Sequence, residues 1–344
     1  MDIPECIILQ GGFALRLVSN YYQIILDIGL FLFFVIGAKV MVLFTIRVSR
    51  PRVLRSRRIL WTAFGAWWLL SGILQIFPWT VTYSLAALTR TLYRHEPHWL
   101  VAWYHPILAL LTARPITWNI LVVIFQFLIG IMLLTERENI AGRITLLMAT
   151  VFAWLVWVIP QAFGFIFSGQ PSVVKGSPGA GLIAGLIGIL LLLPAQSWRS
   201  HNVPVRLRQG LAVFFALACL LQINPWSGFW SSRLIQIFAH SPVPAVKTLI
   251  SLMAEFAVNY PVILNGLIVI ALFLMAVLLW RNQFPTILLL LSALFLLWSW
   301  ASGQGFGLIP AIGANANTAP LLFLLILIST GDTSRMTKES NHPS

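Results

Sequence analysis

Acidic side chains are scarce in this chain: nine Asp and Glu stand against 22 Lys and Arg in 344 residues, and charged residues of both signs make up only 9%. That scarcity excludes a soluble globule, whose surface needs far more charge to stay in water. It also leaves no carboxylate pair for acid–base work, and nothing resembles a nucleophile beside its base or a phosphate-cradling loop. No catalytic residue and no cofactor is therefore assigned. Cysteine is almost absent as well. Cys6 and Cys219 make no CxxC, zinc-site or haem-attachment spacing. Cys6 is read as outside the bilayer and Cys219 as within a span, so no disulfide between them is expected. The N-terminus lacks the short positive segment of a cleavable signal, and the apolar run beginning near Tyr21 is too long for one.

What stands in place of charge is apolar length. Hydrophobic residues reach 59%. Apolar stretches near 21–46, 60–77, 118–135, 144–164, 179–195, 210–223, 262–280, 285–303 and 319–330 each approach the roughly 20 residues that cross about 30 Å of hydrocarbon. The fold class expected is an all-α, polytopic transmembrane helix bundle of about nine spans.

A net charge of +13 suggests an anionic partner only until its distribution is followed. If the linker between the first two spans faces the cytoplasm, that side receives Arg47 to Arg58, Arg137, Arg143, Arg199, Arg206, Arg208, Arg281, Arg335 and Lys338. The other side receives the smaller set of Arg16, Arg90, Arg94, Arg114, Lys175, Arg233 and Lys247, and Lys39 stays within the first span. Every inner loop is then basic, which is the ordinary signature of orientation. The dense Arg47 to Arg58 linker also suits anionic headgroups. The expected localisation is a plasma membrane with the N-terminus outside and the C-terminus cytoplasmic. Membrane lipid is the expected partner and nucleic acid is not, because no soluble domain exists to carry such a role.

The chain also repeats itself at residues that a lipid-buried helix has little reason to keep. Leu74-Gln75-Ile76 with Pro78-Trp79 returns as Leu221-Gln222-Ile223 with Pro225-Trp226. Pro115 and Asn119 return as Pro261 and Asn265. Trp157 with Gln161-Ala162-Phe163-Gly164, Gly169 and Pro178 returns as Trp300 with Gln304-Gly305-Phe306-Gly307, Gly313 and Pro320. Three landmarks in one order imply a tandem repeat. Four spans per copy bring the chain back to its starting side, so the copies are parallel. The expected domains are 1–59 (outer segment, first helix and basic linker), 60–197 (repeat one), 207–331 (repeat two) and 332–344 (a disordered cytoplasmic tail). A long outer connection follows the first span of each repeat. In the second, Leu249, Leu252, Met253 and Phe256 share one helical face and Lys247, Ser251 and Glu255 another, which suits an interfacial helix. The first-repeat counterpart, Trp99 to Thr112, is almost wholly apolar and is expected to sit deeper or beneath other protein.

Six repeated amides are the candidate ligand-binding residues: Gln75, Asn119 and Gln161, and Gln222, Asn265 and Gln304. A buried amide costs several kcal/mol unless it is hydrogen-bonded. Two readings stay open: these groups tie neighbouring helices together, at on the order of 1 kcal/mol each, or they line an outward-facing pocket. Glycine and proline between Gln161 and Pro178, and between Gln304 and Pro320, forbid regular helix in either turn. Irregular backbone at membrane depth needs protein or a water-filled cavity around it. His95, His98 and His105 share one outer connection, but their spacing is that of ordinary loop histidines and no metal site is assigned. Asp27 and Lys39, the only charges well inside a span, sit about 18 Å apart along a helix and do not pair directly.

At the Trp157 and Gln161-Ala162-Phe163-Gly164 landmark, its Trp300 and Gln304-Gly305-Phe306-Gly307 counterpart, and the following Ser177-Pro178 and Ala319-Pro320, the chain resembles a group of uncharacterised bacterial integral membrane proteins. Each four-span unit also looks like the DoxX-like family of small four-helix membrane proteins. The first resemblance implies an acidic residue where Gln161 and Gln304 stand, so chemistry needing a carboxylate there is not expected. The second implies a link to quinone-dependent oxidation of sulfur compounds or to redox complexes. Three functions follow as expectations. The leading one is a non-enzymatic component that binds or passes a small molecule or lipid at an outward-facing site between the repeats. The others are an assembly protein that docks a protein partner at its outer face, and the membrane subunit of an oxidoreductase that takes a quinone ligand. A cavity on the pseudo-twofold axis favours the first, amides satisfied in a dry core the second, and a lipid-open apolar slot ending at Gln or His the third.

Overall fold

Every regular element of the chain is helical over the residues that the computed structural model describes, which are 52–76, 96–136, 139–199, 202–238, 244–281, 284–307 and 317–330. The expected first span with Asp27 and Lys39, most of the basic linker, Cys6, Pro78-Trp79, His95, His240, Pro310, Gly313 and the tail lie outside those residues. Among the described residues the α-helices are, in order, α1 (Arg52–Ile76), α2 (His98–Ala113), α3 (Pro115–Thr135), α4 (Ile140–Val158), α5 (Ala180–Leu192), α6 (Ala195–Arg199), α7 (Asn202–Ile223), α8 (Pro244–Asn259), α9 (Pro261–Arg281), α10 (Pro285–Ser302) and α11 (Thr318–Thr330).

Helix is what an apolar chain adopts in lipid, because it satisfies every backbone N–H and C=O within the segment. Local chemistry sets the ends. Pro115 and Pro285 occupy first-turn positions, where a missing N–H costs nothing. The Asn139 side chain caps α4 by accepting from the Gly142 N–H at 2.8 Å.

Among the described residues, six helices are long and apolar enough to cross a membrane: α1 from Ser56 onward, α3, α4, α7, α9 and α10. All eight expected spans that fall within the described residues are helices, but α5 and α11 have only 13 residues. At about 1.5 Å per residue that is roughly 20 Å, short of the bilayer core. Both follow irregular turns, and α4 stops at Val158 instead of continuing to the expected residue 164. There Phe163 and Gly164 take up left-handed backbone, with φ of 57° and 67°.

Helices pack in matching pairs: α1 along α3, α7 along α9, α4 along α5 and α10 along α11. Gly181, Gly185 and Gly188 let α5 press against α4, since a Cβ on any of them would meet the α4 backbone, the Trp154 indole or the Thr150 hydroxyl. The first half meets the second where α11 lies against α5 and α1. One buried cation fixes the direction of the first half. Arg57, near the start of α1, donates to the Leu191 carbonyl at the end of α5, at 3.1 Å, and lies over the Trp61 ring. The end of α1 therefore sits beside the start of α5, at the end of the bundle that carries the amides.

The two connecting helices differ from each other. α2 buries Leu100, Tyr104 and Leu108 against Ala162 and Phe165. It leaves Trp99, Trp103 and Leu110 more than half exposed, so it is covered on one side only. On α8 the buried stripe is Ile250 and Ala257, while Leu249, Leu252 and Phe256 point outward. Three of the four residues of the expected apolar face thus turn away from the protein, while Met253 packs against the core.

Candidate functional site

The six repeated amides all lie at one end of the bundle, and each finds its partners within the chain. Gln75 Nε2 donates to Asn119 Oδ1 at 2.7 Å, and Asn119 Nδ2 returns a bond to the Gln75 carbonyl at 3.1 Å. In the second half, Gln222 Nε2 donates to Asn265 Oδ1 at 2.7 Å and Asn265 Nδ2 reaches the Gln222 carbonyl at 3.4 Å. The first landmark closes α1 onto α3, and its counterpart closes α7 onto α9. In both cases the penultimate residue of a helix, a glutamine, meets an asparagine in the opening turns of the next long helix.

The second landmark behaves in the same way. Gln161 Oε1 accepts from the Gly181 N–H at 2.9 Å, and Gln304 Oε1 from the Ala319 N–H at 3.1 Å. Each glutamine therefore supplies the capping acceptor that the first turn of a short helix lacks. Trp157 Nε1 donates to the Pro178 carbonyl at 2.8 Å, and Trp300 Nε1 to Asn317 Oδ1 at 2.9 Å. The Phe163 and Phe306 rings meet those tryptophans edge to face at 5.1 and 5.2 Å. Positive φ at Gly164 and Gly307 completes each turn, and a Cβ there would collide with the Pro178 carbonyl or with the Asn317 side chain. One sequence match is displaced. Pro178 stands before α5, whereas Pro320 lies within the first turn of α11, so the structural counterpart of Gly181 is Ala319.

Between the halves, a loop of the first fills the end of the second. Ser172 Oγ donates to Gln222 Oε1 at 3.0 Å, and Thr318 Oγ1 to the Gly176 carbonyl at 2.8 Å. Gln304 Nε2 sits 3.5 Å from both the Val173 and Val174 carbonyls. Gly303 permits this approach, because a Cβ would strike the Val174 carbonyl. Residues 172–174 are buried with Gln222, Asn265 and Gln304. Among the described residues, none of the six amides leaves a buried side-chain nitrogen or oxygen without a partner.

The chemistry that sequence reasoning missed lies beside this cap. Glu96, in the turn before α2, is only 8% exposed, and neither carboxylate oxygen has a hydrogen-bond partner among the described residues. Loss of solvation raises its pKa to about 7, against a smaller downward pull from Lys175. Burial lowers the pKa of Lys175, which Glu96 partly offsets. Tyr104 is pushed well above the usual phenol range by burial and then by the Glu96 charge, and its hydroxyl donates to the Val158 carbonyl. The only sequence cue to Glu96 was its place as one of nine acids beside an apolar helix. Gln126 was missed because its neighbours in the pattern carry no second copy, yet its buried Oε1 on α3 has no partner among the described residues. His98 and His105 are exposed, and no group of three potential metal ligands occurs among the described residues.

No family model, no curated protein and no solved structure matches this chain. The structure is that of a membrane-embedded helical protein on the strength of its six apolar helices.

Proposed function

We propose that the chain is a membrane assembly protein: two parallel copies of one DoxX-like four-helix unit plus an N-terminal helix, making about nine spans in a plasma membrane, with the amide end outward. The recurrence of the Gln75–Asn119 bond at Gln222–Asn265, and of the Gln161 cap at Gln304, supports the duplication. Basic residues near the opposite helix ends, such as Arg57, Arg143, Arg206 and Arg281, support the orientation.

The commitment of all six amides to neighbouring helices is the observation that carries the functional reading. A group already bonded within a dry core does not recognise a passing ligand without first losing that bond. One surface free for recognition is the outer side of α2, which offers Trp99, Trp103 and Leu110 and contains no Asp, Glu, Lys or Arg. An apolar transmembrane helix of a partner protein is the occupant such a face accepts in lipid. Gently extracted protein is expected to retain one defined subunit in native mass spectrometry, and Trp99→Ser with Trp103→Ser to release it without loss of thermal stability. A bare monomer from the parent chain would reject the assembly reading.

A second reading keeps one observation in its favour. The space between the halves is closed by loop residues 172–176 rather than by a helix. A loop can withdraw, and the amides it uncovers would then bind or pass a small molecule or lipid from outside. A quinone is one such ligand, in keeping with the DoxX-like likeness.

A further inference from the structure

Glu96 differs from the six repeated amides at this end of the bundle. The repeated glutamines and asparagines are bonded to protein. Glu96 is buried, at 8% exposed, yet it offers two acceptor oxygens and receives nothing at either among the described residues. An ionised carboxylate left so is among the most costly arrangements a protein can hold, whereas a protonated one is close to an ordinary buried polar group. Among the described residues the groups that face it are few. Lys175 comes from the loop after the Ala162–Phe165 turn, and Tyr104 from the second turn of α2, its hydroxyl already given to Val158. His98 lies on α2 itself but is exposed. The turn on which α2 rests contributes only Ala162, Phe163 and Phe165, which do not titrate.

We propose that Glu96 is a proton-binding site that latches α2 onto the Ala162–Phe165 turn: the neutral acid is held under the helix, and loss of the proton releases the α2 start toward water and Lys175. This reading is independent of the assembly function and of the second reading. The sign follows from linkage. When α2 is undocked, Glu96 titrates near its ordinary 4.5; when α2 is docked, near 7. The docked state therefore binds more protons between those values. Docking is strongest below about 4.5, weakens as pH rises toward 7, and is constant above.

The test uses the full chain in lipid nanodiscs. Infrared spectra are expected to contain a protonated-carboxyl C=O band that disappears with a midpoint near pH 7 and is missing in Glu96→Gln. Hydrogen exchange at residues 100–108, corrected for the intrinsic pH dependence of exchange, is expected to lose protection over the same interval in the parent. In Glu96→Gln, protection should stay high throughout. Lys175→Met removes the opposing charge found among the described residues and is expected to move the carboxyl midpoint upward, a readout that stands even if Glu96→Gln fails to fold. A carboxyl band that titrates near 4.5, or an unmoved midpoint in Lys175→Met, would overturn the site. Protection that ignores pH while the band titrates would overturn the latch.

Discussion

The Ser172 hydroxyl donates to the side-chain oxygen of Gln222 at 3.0 Å, and the two residues belong to different halves of the chain. Gln222 uses its other amide atom on Asn265. One side chain thus joins two neighbouring long helices and fastens the loop that closes the space between the halves. It is 1% exposed, so none of these bonds competes with water.

Gln222→Leu is expected to destabilise the fold by about 1–2 kcal/mol, because Asn265 and Ser172 both lose a partner in a dry environment. Gln222→Leu combined with Asn265→Leu should cost less than the sum of the single changes, since no orphaned amide remains on that pair. Thermal unfolding in mild detergent measures the cycle, and strict additivity would show that the bond carries no coupling.

Gly164→Ala and Gly307→Ala are each expected to lower stability by roughly 1–3 kcal/mol, through left-handed backbone and the collision of the new methyl group. Gly266→Ala, on α9 with nothing near the added carbon, should be neutral or slightly stabilising. Equal melting temperatures for all three proteins would contradict this account of the turns.

Locking the loop separates the two functional readings. A disulfide formed in Gly176→Cys with Thr318→Cys, a contact between the halves that leaves all six amides in place, should leave retention of a protein partner unchanged if the amides are structural. Binding of a small molecule between the halves would instead stop on oxidation and return on reduction, which a ligand-retention assay of the same sample reports.

Arg57→Gln is expected to weaken the contact between α1 and the end of α5 by about 1–3 kcal/mol, because the Leu191 carbonyl loses a charged donor and the Trp61 ring its cation. Exchange of the amides around Leu191 should quicken more than exchange around Gly181 at the other end of α5. Uniform quickening along the helix would argue against a local role.

Several features were legible in the residues alone. Apolar run length placed the helices, because lipid offers the backbone no other partner. Recurrence picked out Gln75, Gln161, Gln222 and Gln304 and their asparagines, because a polar group is kept inside a bilayer only for a reason. The sequence could not say whether that reason was a ligand or a neighbour. An amide needs one donor or acceptor within about 3 Å, and residues 43 or 44 apart in the chain reach that distance only through helix packing. The five-residue difference between the Gln161-to-Gly181 and Gln304-to-Ala319 spacings likewise hid the true register behind a coincidence of prolines.

Composition, charge placement and internal recurrence by themselves determined a helical membrane protein and the residues on which its helices turn, since those properties depend on what each segment must do in lipid. Tertiary structure alone decided that the amides bond to neighbouring segments of the chain, that residues 172–176 close the gap between the halves, and that Glu96 is buried without a donor among the described residues. The physical reason is range. Solvation by lipid acts on a segment as a whole and is written along the chain, while a hydrogen bond or an unsolvated charge depends on atoms brought together within a few ångströms from distant parts of it.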